Sequence, residues 1–89
     1  MSQQQSLTEK SKILIREDLQ DADVIKSVPG RFNGSYETFR KKFLLETGES
    51  PGRFCRHLRI ELAKTLLIRT DWKCFKIAIE CGYTSARVN

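Results

Sequence analysis

Apolar residues along this chain recur three and four positions apart, and polar or helix-breaking residues separate the runs. Ser6-Leu7-Thr8-Glu9 has the form of a capping box, in which a Ser hydroxyl and a Glu carboxylate satisfy free backbone N–H groups at a helix start. It predicts a first helix over residues 7–19, with Ile13, Leu14 and Leu19 available to a core. Gln20-Asp21-Ala22-Asp23 ends that helix, and Asp23 caps a short second one whose Val24, Ile25 and Val28 share a face. Pro29-Gly30 interrupts it, because proline removes a backbone donor and glycine costs conformational entropy.

Asn33-Gly34-Ser35 reads as a turn that delivers a cap. A third helix follows over residues 36–46, with Phe39 and Phe43 as its buried stripe. Gly48 stands where a left-handed residue closes a helix. Ser50-Pro51 opens a fourth, with Ser as N-cap and Pro at the first helical position. This helix runs to about residue 69, with Phe54, Leu58, Leu62, Ala63, Leu66 and Leu67 as its apolar face. At 1.5 Å per residue it is about 30 Å long, a spacer as well as a core element. Thr70-Asp71 breaks the pattern. A fifth helix covers residues 73–81, with Cys74, Ile77, Ala78 and Cys81 on one side, and stops at Gly82. The chain has neither strand-like alternation nor an internal repeat, so the expected fold class is all-α.

Length and charge narrow the function. Eighty-nine residues make one domain. With 39% apolar and 30% charged residues its core is small. The net charge is +5, and it is unevenly placed. Residues 31–69 hold nine basic and four acidic side chains, whereas residues 1–30 hold four basic and five acidic. Such a basic segment favours a phosphate-rich partner, either nucleic acid or an anionic membrane surface.

The apolar runs fall short of the roughly 20 residues of a membrane helix, and Met1-Ser2-Gln3-Gln4-Gln5 lacks the start of a secretory signal. Three cysteines without a C-x-x-C pair argue against a disulfide framework or a zinc site and fit a reducing, cytoplasmic setting. Cys74 and Cys81 are expected in the core. Cys55, although close to Arg53, Arg56 and His57, is read as structural too. Trp72 is expected over the junction of the fourth and fifth helices. A single histidine, His57, cannot build a His-based metal cluster, and no Ser–His–Asp triad is expected around it. No metal, cofactor or enzymatic activity is expected.

A helix-turn-helix unit joins a short helix and a second helix through a tight turn, so that the second can enter the major groove of DNA. The second and third helices fit that plan, with the turn at residues 31–34. The fifth helix and Gly82-Tyr83-Thr84-Ser85 begin the same plan again. The residues themselves resemble those of AraC/XylS-type transcriptional regulators. Ser35-Tyr36-Glu37-Thr38-Phe39-Arg40-Lys41-Lys42-Phe43 and Thr47-Gly48-Glu49-Ser50-Pro51 resemble the family's first recognition helix and the turn after it. Arg59-Ile60-Glu61-Leu62-Ala63-Lys64-Thr65-Leu66-Leu67 is similar to its linker helix, and Ile77-Ala78 with Gly82-Tyr83-Thr84-Ser85 to its second unit.

The resemblance implies an AraC-type, homeodomain-like fold over residues 1–89: a first unit at about 20–47, a linker helix at about 51–69 and a partial second unit at about 70–89. It also implies a bacterial, sequence-specific regulator of transcription that binds double-stranded DNA. Carried over position by position, Glu37, Arg40 and Lys41 reach bases, with Tyr36 at the edge. Ser35 at the helix start, Arg53 and Arg56 contact phosphates. Arg59 matches a linker-helix arginine whose role is chiefly structural, with some contact to the DNA backbone. Pro29, Gly34 and Lys73 depart from the family's pattern, and the sequence stops at Asn89, before a second recognition helix. A second expectation follows from this: an interaction protein or antagonist that binds a full-length regulator or forms a homodimer. RNA polymerase is a further partner in the first reading, and a membrane is a partner in neither.

Overall fold

The computed structural model describes residues 6–32 and 34–83, and among these all regular structure is helical. The order is α1 (Leu7–Glu17), α2 (Val24–Ser27), a single 3-10 turn (Pro29–Phe32), α3 (Tyr36–Thr47), α4 (Pro51–Arg69) and α5 (Cys74–Glu80). Asn33 of the expected turn and residues 84–89 of the expected second unit lie outside the described residues.

Local chemistry sets the boundaries. Ser6, Ser35 and Ser50 are extended at their helix starts, and each hydroxyl accepts from the backbone N–H three residues on, at 3.1 to 3.2 Å. The capping box at Ser6 is only half closed, because the Glu9 carboxylate instead pairs with Lys12 at 3.2 Å. α1 ends at Glu17, two residues early, and Leu19 reaches the core from the loop. Asp23 makes no side-chain cap to α2. Pro29 and Gly30 divert the chain into the 3-10 turn, whose Pro29 carbonyl accepts from Gly34 N–H at 3.1 Å. Gly48 closes α3 in the left-handed conformation, φ +85°, with its N–H donating to the Leu44 carbonyl.

The core gathers Ile15, Leu19, Val24, Val28, Phe43 and Cys55, with Phe39, Phe54, Leu58 and Leu62 packed around them. An aromatic ladder runs through it. Phe39 meets Phe43 edge-on at 5.7 Å between ring centres, and Phe43 meets Phe54 of α4 at 5.4 Å. Arg16 of α1 lies 5.6 Å from the Phe54 ring centre. One set of rings therefore joins α1, α3 and α4, at geometries that favour aromatic pairs and cation–π contact.

Three core expectations are corrected. In α1 the buried stripe is Thr8, Ser11 and Ile15, whereas Ile13 is exposed. Ser11 can be buried because its hydroxyl donates to the Leu7 carbonyl at 2.7 Å. Cys74 is exposed: it occupies the first position of α5, and only the later Ile77 and Cys81 reach the interior. Leu67 is exposed too. The α4 residues half-buried at regular spacing are Phe54, Leu58, Leu62 and Leu66, while Leu67 and Ile68 turn outward. Trp72 lies in a shallow groove with Leu62 and Leu66, partly exposed, with Lys76 Nζ 4.5 Å from its ring centre.

A second junction ties α5 and α4 to the loop after α1. Arg59 Nη2 donates to the carbonyls of Asp21 at 2.9 Å and Leu19 at 3.4 Å, and Gln20 Nε2 donates to the Glu80 carboxylate at 2.8 Å. Gly82, at φ +82°, presses against the same place. A Cβ there would run into the Leu19 carbonyl oxygen and lie 2.8 Å from Arg59 Nε. Burial pushes the Cys55 and Cys81 thiols up, Glu80 adding to the rise at Cys81 and Arg59 opposing it at both. Both stay protonated at neutral pH and act as small apolar groups.

Two expected outcomes follow for stability. Phe43→Ala removes the centre of the ladder and costs about 3–5 kcal/mol in chemical denaturation, a large share of a small domain's stability. Gly48→Ala and Gly82→Ala both force alanine into a left-handed backbone, at about 1–2 kcal/mol. Around Gly48 the space is open, so its variant stays near that figure. Gly82→Ala adds a backbone clash and melts at a clearly lower temperature; equal melting of the two variants would contradict the close approach to Leu19.

Candidate nucleic-acid interface

Phe43 fixes which side of α3 faces solvent. At 100° per residue, Phe39 and Phe43 define the inward face, and Glu37, Lys41 and Leu45 fall on the outward one. All three of these are exposed, as are Arg40, Thr38 and Leu44 beside them. Glu37 and Lys41 approach at 4.0 Å across one turn, both well solvated. Tyr36 is partly exposed at the start of the helix and packs edge-on to Phe39 at 6.3 Å. The Ser35 hydroxyl accepts from Thr38 N–H at 3.2 Å and donates to Thr38 Oγ1 at 3.0 Å, leaving other first-turn N–H groups pointing out of the helix start.

The fold brings the start of α4 alongside. The Gly48–Ser50 turn reverses the chain, so that Arg40 and Leu44 of α3 share a shallow notch with Arg53 and His57 of α4. Arg56 continues the same surface with Ser50 and Gly52. Among the described residues Arg40, Arg53 and Arg56 pair with no carboxylate, so their charge is available to a ligand. His57 Nδ1 lies 3.2 Å from Glu49 Oε1 across the notch. No regular spacing connects Glu49 and His57, and only the turn brings them together.

Arg59 stands apart from these cations. Its guanidinium faces the loop after α1, where Nη2 holds the Leu19 and Asp21 carbonyls. Its Nε is buried and has no partner among the described residues. Arg53, Arg56 and Arg59 recur every third residue, and each such step turns the side chain about 60° around the helix. By the third arginine the side chain has left the outward face for the interior. Leu44 and Leu45 follow Phe43 in an apolar run, and their exposure is visible only once the ladder is built.

Outside this surface, no helix among the described residues is long and apolar enough to cross a membrane. The described residues also lack a group of three or more His, Cys, Asp or Glu side chains placed to hold a metal ion.

Comparison with known proteins gives these features a family. Residues 30–88 match the helix-turn-helix domain family, a stretch that takes in α3, the notch and α4. The fold is similar to that of the C-terminal domain of the two-component response regulator yesN from Fusobacterium nucleatum, with a TM-score of 0.81 and 23% identity. That likeness covers 86% of this chain and 80% of the other. No curated protein matches the sequence. With two-thirds of its length carrying the family's pattern on this all-helical scaffold, the chain belongs to the AraC-type helix-turn-helix family, whose members are DNA-binding transcription regulators.

Proposed function

We propose that the protein reads duplex DNA in a sequence-dependent way by docking α3 in the major groove, and that it regulates transcription from there. The observation that carries the reading is the outward face of α3, where Glu37 and Lys41 stand exposed opposite the buried Phe43 and Arg40 is exposed on the flank beside them. A B-form major groove, about 12 Å wide, admits a helix. Arg40 and Lys41 donate to guanine O6 and N7, and Glu37 accepts from cytosine N4. The solvated Glu37–Lys41 pair is weak, so each side chain leaves it at little cost. Tyr36 borders this set. Ser35 and the N–H groups at the start of α3 take one phosphate, and Arg53 and Arg56 take others, setting the register of the helix on the duplex. Arg59 contributes from inside, by holding α4 against the loop after α1.

A second reading has its own support. Leu67, Ile68 and Phe75 are each more than half exposed at the end of α4 and on α5. An apolar surface of that kind favours self-association or the binding of a larger regulator. Sedimentation that rises with concentration and is abolished by Phe75→Asp supports it, and a monomer at every concentration counts against it.

The main reading is tested by selecting bound duplexes from a random library at about 0.15 M salt, where phosphate attraction alone is weakened. The expected outcome is an enriched motif confined to one major-groove face; binding without enrichment would reduce the protein to a polyanion binder. On the enriched duplex, Arg40→Ala costs about 1–3 kcal/mol and relaxes preference at one base pair. Arg53→Ala weakens all sequences alike and lowers the salt slope by about one.

A further inference from the structure

The outward face of α3 carries two side chains for which phosphate attraction gives no reason. Leu45 is 86% exposed, the most exposed large apolar side chain among the described residues, and Leu44 beside it is 41% exposed. Leu45 follows Lys41 by four residues and Glu37 by eight, so it continues their stripe. Leu44 adjoins Arg40 and lines the notch with Arg53. From Glu37 to Leu45 the helix rises about 12 Å, roughly the span of three to four base-pair steps of 3.4 Å.

A leucine can neither donate to a phosphate nor pair with a polar base edge, and stripping water from such groups against it costs free energy. Of the groups displayed in the major groove, the apolar one is the C5 methyl of thymine. The surroundings select a polyanion, since Arg40, Lys41 and Arg53 border the leucines within a segment of nine basic and four acidic side chains. We propose that the Leu44–Leu45 pair reads thymine methyl groups, extending the recognised sequence beyond the base pairs contacted by Glu37, Arg40 and Lys41. This rests on the docking of α3 proposed above. In this arrangement the polar residues of the stripe read hydrogen-bonding edges, and the leucines at its far end require thymine at one or two further positions.

Replacing thymine by deoxyuridine removes only that methyl and leaves base pairing and the O4 acceptor intact. The test takes the duplex enriched from the random library and substitutes each thymine singly. Wild-type protein is expected to lose about fourfold in affinity at one or two thymines, the equivalent of one buried methyl group. Leu45→Ala, or Leu44→Ala where that residue faces the thymine, binds the parent duplex more weakly and is indifferent to deoxyuridine at that position. Both leucines project from the outer surface of α3, so unchanged melting of the variants separates lost contact from lost fold. The proposal is overturned if no thymine is sensitive, or if the sensitivity survives in the Leu44→Ala/Leu45→Ala double variant. It is equally overturned if that double variant changes sedimentation while DNA affinity stays the same, because the leucines then cover protein. An enriched duplex with insensitive thymines refutes the leucine reading alone, whereas a library with no enriched duplex refutes the docking of α3 as well.

Discussion

The rest of the structure depends on the burial of Phe43 between Phe39 and Phe54. That contact decides the rotation of α3 about its own axis. A turn of one residue, about 100°, would drive Lys42 or Leu44 into the place of a fully buried ring. The cost of burying an unpaired ammonium, or of leaving a ring-sized void, holds the helix in one setting. Everything on the outer face of α3 inherits that setting. Phe54 then fixes the start of α4, and with it the neighbouring Arg53. The basic notch is thus a consequence of the same rings that build the core.

A second constraint works midway along α4. Arg59 donates to two loop carbonyls, the partly buried one of Leu19 and the exposed one of Asp21, and Gly82 is tolerated there only because it has no Cβ. The junction joins the long helix and α5 to the loop between α1 and α2 through polar contacts, in contrast to the aromatic contacts behind α3. A domain with so few fully buried residues relies on both. The ladder supplies apolar burial, and the junction supplies directional hydrogen bonds that set how α4 lies across the rest.

Much of this was legible in the sequence because it is written locally. Three serines at helix starts, a proline just inside α4 and a glycine after α3 act within one turn of the chain, and the helices begin and end close to where those residues stand. The Phe39–Phe43 spacing identified the inward face of α3 and therefore, by exclusion, where Glu37, Arg40 and Lys41 stand. What was not legible depended on partners distant in sequence. Ile15 rather than Ile13 is buried because the small polar residues Thr8 and Ser11 complete its stripe, Ser11 with its hydroxyl bonded to the Leu7 carbonyl. Cys74 and Leu67 sit at helical spacing from core residues, but the described residues leave nothing packed over them. The resemblance implied a chiefly structural role for Arg59, but its partners, the Leu19 and Asp21 carbonyls, lie about forty residues away in the chain and are visible only in the fold.

On the proposed function, the surface fixed by Phe43 is the one that meets DNA. Backbone amide spectra recorded while the domain is titrated with its enriched duplex test this most directly. The largest shifts are expected in α3 and in the first two turns of α4, with residues 72–83 little changed. Shifts concentrated on α5 and the end of α4, with α3 unmoved, would contradict it.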